Sequence, residues 1–445
     1  MTNKRKTIGM VSLGCSKKQV DAERLLALLS GAGYEISPQP EHCDAVIINT
    51  CGFIESAKQE AIDTILEFAH KKQEGVISGL IVTGCLSERY REEFISEFPE
   101  VDGVLGIGKN DQIALAVERV LSGEKHLEFG EKEALSLEGK RVLAGPGYSA
   151  YLKVADGCDN RCSYCAIPDI RGRFRSRPIE NIVREAQELI RGGVRELCLV
   201  AQDTTRYGED IYGKPALPGL LEKLCEIDGL RWLRLLYCYP DRVSDELLDV
   251  MRGQPKIVKY MDLPVQHASG KVLREMNRSG DEISLRKLIE RIRQKVPGIA
   301  LRTTLITGFP GESEQDFEIL CRFVQQAGFE RLGCFAYSQE EGTPAGERTD
   351  QIDEQTRRRR AEIIMETQQI IAGRIAAEMT GREIEVLCEG YDSQRKMCIG
   401  RSFADAPDID TKVYFTAAPK PGPGEFLRVK VTGADGYDLL GEQTE

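Results

Sequence analysis

The chain has 445 residues, 41% of them hydrophobic and 29% charged, with 14 cysteines, four histidines and a formal net charge of −11. That length allows about two to four soluble domains. With neither a secretory leader nor an apolar run long enough to span a bilayer, a cytoplasmic protein with no membrane partner is predicted, in which thiols serve metals or cores rather than disulfides. The acidic balance argues against a protein built mainly to grip phosphate backbones and suits a basic protein partner.

Residues 7–122 alternate short apolar runs (8–13, 45–49, 80–83 and 101–107) with amphipathic stretches (21–29, 55–70, 88–98 and 112–121). This predicts a doubly wound, mostly parallel sheet, whose ligands bind beyond the carboxyl ends of the strands. Cys15, Cys51 and Cys85 each follow a strand by one or two residues, in Leu13-Gly14-Cys15, Asn49-Thr50-Cys51 and Thr83-Gly84-Cys85. All three should emerge at one edge, where Gly14, Gly52 and Gly84 let the chain turn beside a bulky inorganic group. Three convergent thiols can hold a four-iron cluster with one iron left open; three unrelated buried thiols are the alternative. Cys43 precedes a strand and is structural. A charged segment, 123–147, ends in Gly145-Pro146-Gly147 and marks a domain boundary.

From 148 to 337 the alternation has a longer period. Strands are expected at 150–155, 196–202, 232–238, 259–265, 300–307 and 331–337, with helices at 178–191, 218–227, 245–252, 269–277, 284–295 and 314–327. Six βα units are too few for a closed eight-fold barrel, so a partial, open barrel is expected, with function at the carboxyl ends of its strands. That rim carries Cys158-Asp159-Asn160-Arg161-Cys162-Ser163-Tyr164-Cys165, then Gln202-Asp203, Gln266-His267 and Gly308-Phe309-Pro310-Gly311. The C-x3-C-x2-C thiols are again one short of a four-cysteine site. A zinc knuckle would need a distant fourth ligand, and no nearby Cys or His supplies one. The remaining cysteines, Cys198, Cys225, Cys238, Cys321, Cys334, Cys388 and Cys398, lie in apolar patterns and pack cores.

Residues 350–380 read as one long helix, in which Arg357 to Arg360 stand in a row flanked by acids, as on a solvated face. The tail breaks into short alternating strands separated by Gly, Pro and Asp, a small antiparallel barrel. From Ala377 it carries 13 acidic and 8 basic residues, a balance unsuited to RNA and suited to a basic surface.

The Cys158–Cys165 loop, with its aromatic before the last thiol, resembles that of the radical S-adenosylmethionine (SAM) enzymes. The whole chain resembles the radical-SAM methylthiotransferase family: a cluster domain at 6–122, a linker at 123–147, a radical-SAM core with its connecting helix at 148–376 and an OB-like TRAM barrel at 377–443. Val11-Ser12-Leu13-Gly14-Cys15, Cys51-Gly52-Phe53-Ile54-Glu55-Ser56-Ala57-Lys58 and Gly400-Arg401-Ser402-Phe403-Ala404-Asp405 resemble the branch that methylthiolates the β-carbon of an aspartate on protein twelve of the small ribosomal subunit. Two positions depart from that branch, Ser16-Lys17-Lys18 standing for Pro-Lys-Asn and Ala22 for Ser.

The resemblance implies two [4Fe-4S] clusters, held by Cys15, Cys51 and Cys85 and by Cys158, Cys162 and Cys165, together with two SAM molecules and a sulfur donor. It implies main chain at Tyr164 to Ala166 near the adenine, Gln202 and Asp203 near ribose or substrate, and Gly308 near the cofactor. Capping residues and a plain turn are the alternatives there. His267 is a candidate substrate contact or a hydrogen-bonded structural histidine. The rival functions are a tRNA adenosine C2 methylthiotransferase and a non-catalytic iron–sulfur module.

Overall fold

Apolar runs become parallel strands buried on both faces. In the computed structural model, which describes residues 5–444, the amino-terminal unit runs β1 (Thr7–Ser12), α1 (Ser16–Gly31), β2 (Glu35–Ser37), β3 (Ala45–Thr50), α2 (Glu55–Gln73), β4 (Gly79–Gly84), α3 (Cys85–Glu97), β5 (Gly103–Leu105), α4 (Ile113–Leu121) and β6 (His126–Glu128). The strands form one parallel sheet in the order β2-β1-β3-β4-β5-β6. β3 and β4 are buried at every position, because helices cover both faces. Alternate residues of β3 face different cores: Val46 and Ile48 pack towards α2, Ala45 and Ile47 towards α1 and α4. The edge strands β2 and β6 have no apolar run to announce them. β6 comes from the segment 123–147, which therefore begins inside this sheet.

The second unit comprises β7 (Ser149–Lys153), β8 (Ala155–Asp156), α5 (Ile167–Arg171), β9 (Arg175–Ser176), α6 (Ile179–Arg191), β10 (Glu196–Val200), α7 (Glu209–Tyr212), α8 (Leu217–Cys225), β11 (Trp232–Leu235), α9 (Asp245–Gly253), β12 (Ile257–Asp262), α10 (Gly270–Glu275), α11 (Glu282–Lys295), β13 (Ala300–Thr307), α12 (Glu314–Ala327) and β14 (Arg331–Ala336). Its sheet is parallel and open, β7-β10-β11-β12-β13-β14, the partial barrel expected. Local chemistry sets the helix ends: α12 starts on a Ser313–Asp316 capping box and stops at Gly328 in the left-handed region. α13 (Glu354–Met379) leads to a closed barrel of β15 (Glu383–Asp392), β16 (Met397–Ser402), β17 (Val413–Thr416), β18 (Phe426–Asp435) and β19 (Asp438–Gln443). The pair β17–β19 is parallel and the other pairs are antiparallel. Among the described residues no helix is long and apolar enough to cross a membrane.

The open barrel is not left empty. Residues 402–410 of the terminal barrel fill its concave side: Tyr260 donates to Asp410 at 2.6 Å, Tyr151 to Asp408 at 3.0 Å, and Arg234 to the Phe403 carbonyl at 2.6 Å. Asp405 and Asp410 pair with the barrel arginines Arg331 and Arg302 at 2.5 and 3.4 Å, and Glu385 pairs with Arg231 at 2.6 Å. The acidic balance of the tail is thus partly internal. Charge counting does not say where a side chain points.

Two buried charge networks join the units. Glu196, on β10, is fully buried between Arg234 and Arg401, at 3.1 and 2.6 Å. At the other junction Asp21 of α1 pairs with Lys153 and with Arg171 at 2.8 Å, while Asp156 pairs with the same two cations at 2.9 and 3.0 Å.

Burial raises the Glu196 carboxyl, but Arg401 and Arg234 overcome it and bring it from 4.5 to about 2. A depressed carboxylate contributes stability that is complete above its unfolded pKa and is lost as pH falls through the folded one. Glu196→Gln should flatten the acid loss of stability between about pH 4.5 and 2, and lower neutral stability by about 3–5 kcal/mol. Denaturant unfolding followed through Trp232, the single tryptophan, checks both; an unchanged pH slope contradicts the assignment.

Candidate cluster and substrate site

The first cysteine set is built by three strand ends. β1, β3 and β4 are neighbours, so the loops that follow them emerge side by side. Cys15 precedes the first turn of α1, Cys51 directly follows β3, and Cys85 opens α3. The loops touch closely: a methyl group on Gly14 would lie 3.1 Å from Cys51 Sγ, and one on Gly52 2.8 Å from the Leu86 backbone. Gly84 is required twice over. Its φ is +114°, and a methyl group there would lie 2.5 Å from the Thr50 carbonyl oxygen.

Burial, then Cys85, pushes the Cys51 thiol up to about 11. Burial also raises Cys15, yet Lys17, the backbone of Lys17 and Lys18, and Arg171 together bring it below its ordinary value. The cations therefore favour negative charge at Cys15, whereas burial opposes it at Cys51 until a metal is bound. Lys18 Nζ is buried beside Gly84 without a hydrogen-bond partner, an opening for an anion that the protein itself does not supply.

The second set lies on the loop between β8 and α5. Cys165 N donates to the Cys162 carbonyl at 3.0 Å, and Cys158 N to that of Gly172 at 3.2 Å. Arg161 takes φ +49° to complete the turn. The loop is pinned from outside: Asn160 donates to Asp203 at 2.9 Å, Asn277 to the Arg161 carbonyl at 2.9 Å, and Ser163 N to the Met276 carbonyl at 3.0 Å. Burial raises Cys158 to about 11 and Cys165 further, Cys162 adding to the rise in Cys165. Such thiols become thiolates when a metal is bound. Among the described residues no three His, Cys, Asp or Glu side chains are arranged for a single metal ion. Three thiols per set and cationic surroundings fit the larger, anionic four-iron cluster.

The two sets meet. Cys85 packs against Ala166 and Ile170, just past Cys165, and Arg171 at the end of the same helix acts on both Cys15 and Cys85. Both loops border one cavity of about 820 Å³. Phe53 and Ile54 line it from the Cys51 side, Tyr164 from the Cys162 side, Ile306 and Phe335 from the barrel, and Arg357 from α13. Glu340, buried in its wall, holds Lys58 at 3.2 Å and Arg89 at 2.8 Å, which clamps the amino-terminal unit to the barrel.

The other candidate residues divide. Tyr164 faces the cavity, while Ala166 is spent on Cys85. Gln202 is half-buried. Asp203 is buried, accepting from Asn160 and from Thr205 at 2.5 Å, so it braces the cysteine loop. Gly308 turns at φ +71° beneath Arg357, and its N–H donates to Glu312 at 2.7 Å. His267 has no exposed surface: Nδ1 accepts from Ser269 N at 2.9 Å, and Nε2 faces Glu312 at 3.6 Å. Its enclosed ring fits the second of the two readings, the hydrogen-bonded structural histidine. The arginine row is not one solvated face either. Arg358 and Arg359 are exposed, but Arg360 is buried on Glu312 at 2.9 Å, and Arg357 reaches the cavity. Sequence reasoning missed Arg278, which is buried and donates to Cys162 Sγ at 3.6 Å while stacking 4.2 Å from the Tyr239 ring. No pattern around it announces that role.

Comparison with known proteins agrees with this architecture. The Uncharacterized protein family UPF0004 matches residues 7–106, the Radical SAM superfamily 152–324 and the TRAM domain 380–443. A protein of Geobacter sulfurreducens is 46% identical over 445 residues, covering 99% of both chains, and one of Pelotomaculum thermopropionicum is 50% identical over 437, covering 98% of both. Each is named ribosomal protein uS12 methylthiotransferase RimO. Among solved structures, the radical SAM methyltransferase TsrM of Kitasatospora setae, with cobalamin and a [4Fe-4S] cluster, is similar in fold at TM-score 0.57 and 14% identity, covering 77% of each chain.

Gly84→Ala should disrupt the first set alone. Iron bound by anaerobically reconstituted protein should fall by about half, from about eight to about four on the basis of four irons per cluster, while cleavage of SAM under reduction persists. Undiminished iron contradicts the close approach drawn here.

Proposed function

The chain belongs to the radical-SAM methylthiotransferase family, in the branch named for ribosomal protein uS12, and we propose that it methylthiolates the β-carbon of an aspartate on that protein. The reaction uses two SAM molecules, two [4Fe-4S] clusters and a sulfur donor, in the cytoplasm. The observation that carries the reading is the single cavity bordered by both cysteine loops. A C–H bond without acidity cannot be opened by a side-chain base, and clusters on the two loops that reach the cavity through Phe53 and Tyr164 would supply what such a step needs.

Cys158, Cys162 and Cys165 would hold the cluster that binds SAM, and Cys15, Cys51 and Cys85 the one that carries sulfur. When bound, these groups supply a low-potential electron for cleaving the sulfonium of SAM and a nucleophilic sulfur for transfer. The chain's own residues orient and seclude. Asn160 with Asp203, and Asn277 with the Arg161 carbonyl, fix the Cys158–Cys165 turn. Arg278 donates to Cys162. Tyr164, which lines the cavity, would border bound SAM, with Ala166, Gln202 and Gly308 as further candidate contacts. His267 and Glu312 support the Gly308 turn from beneath. Phe53, Ile54, Ile306 and Phe335 give the cavity an apolar lining suited to a reactive radical. Arg357, with no carboxylate partner among the described residues, can meet a substrate carboxylate at its mouth. That chemistry suits an aspartate.

Reduced, anaerobic protein given SAM and sulfide should add a methylthio group to uS12 in isolated small ribosomal subunits and leave tRNA unchanged, as read by mass spectrometry. Modification of tRNA alone would assign the protein to the nucleic-acid branch, and no product on either would leave the enzyme reading without support. Cys162→Ala should abolish 5′-deoxyadenosine formation; continued formation contradicts the assignment of the SAM-binding set.

A further inference from the structure

α1 opens just past Cys15 with two consecutive lysines, Lys17 and Lys18, 4% and 1% exposed. Lys17 is accounted for, because its Nζ lies 3.3 Å from the centre of the Tyr237 ring. Lys18 Nζ has no hydrogen-bond acceptor among the described residues. It stands between the turns that carry Cys51 and Cys85, where a methyl group on Gly84 would come within 2.7 Å of it. The nearby carboxylates do not answer its charge, since Asp21 and Asp156 are each already shared by Lys153 and Arg171. Three cations thus face two carboxylates at this junction. A buried ammonium without a partner is costly, and an apolar side chain of similar length would remove the cost. A buried lysine here, where the related branch has an asparagine, calls for an anion that arrives with the bound group.

We propose that Lys18 is a positioning residue whose Nζ donates a hydrogen bond to a sulfur of the cluster held by Cys15, Cys51 and Cys85, and whose charge raises the reduction potential of that cluster. The proposal rests on the two-cluster reading above. Net charge and hydrogen bonds to the sulfurs set iron–sulfur potentials. A reduced cluster is one charge more negative, so a fixed neighbouring cation favours it.

The test uses the full chain carrying Cys158→Ala, Cys162→Ala and Cys165→Ala, which leaves one cluster to observe. Iron content and a redox titration followed by electron paramagnetic resonance are measured on this protein and on its Lys18→Met, Lys18→Gln and Lys18→Arg derivatives. The midpoint should shift to lower potential in Lys18→Met, shift less in Lys18→Gln, and stay near the parent value in Lys18→Arg, all with unchanged iron. Iron present with an unmoved midpoint in Lys18→Met overturns the role of Lys18 and leaves the two-cluster reading standing. No iron in the parent overturns that reading and the role of Lys18 with it. If Lys18→Met loses its iron, retention by Lys18→Arg supports the counter-charge, and equal loss from both overturns it.

Discussion

Four buried charges, Asp21, Lys153, Asp156 and Arg171, fix where both cysteine sets stand. Asp21 lies six residues past Cys15, on the second turn of the helix that Cys15 precedes. Asp156 ends the strand two residues before Cys158, and Arg171 closes the helix that starts two residues after Cys165. Each carboxylate is shared by the same two cations, and no side chain of the four is more than 3% exposed. Buried ion pairs gain little net stability, because desolvation offsets attraction. What this set supplies is register: sliding one unit past the other would leave several charges unpaired at once.

The terminal barrel acts on the other side of the same frame. A six-stranded open barrel exposes a concave face that an eight-stranded one would close with side chains. Here the gap is filled from the tail, by Phe403, Ala406 and the acids that pair with Arg302 and Arg331. Tyr151, Tyr260 and Arg234 turn inward to meet it. The tail is therefore structural support for the strands whose far ends hold the cavity. Asp405, Asp408, Asp410 and Glu385 are spent on that task, so only part of the tail's acidic balance faces solvent.

Much of this was legible in the sequence because apolar runs and their ends survive folding. The six barrel strands and the intervening helices lie where periodicity put them, and Cys15, Cys51 and Cys85 each follow one of three neighbouring strands. Edge strands β2 and β6 escaped because three half-exposed residues carry no periodic signal. The roles of charged residues escaped for another reason. Lys18, Arg278, Arg360 and Asp405 are ordinary polar letters in sequence, and only the packing around them shows that they are buried and what they face. His267 illustrates the converse, a residue conspicuous in sequence whose ring is wholly enclosed.

The Cys51 loop and the Cys158–Cys165 loop border one cavity, which requires the clusters they would hold to lie close together. The most direct measurement is the magnetic interaction between the two reduced clusters in the intact, anaerobically prepared protein, by pulsed electron paramagnetic resonance. Adjacent clusters predict strong dipolar broadening that disappears when either set is replaced. Two independent, unbroadened signals would place the clusters apart and contradict the account.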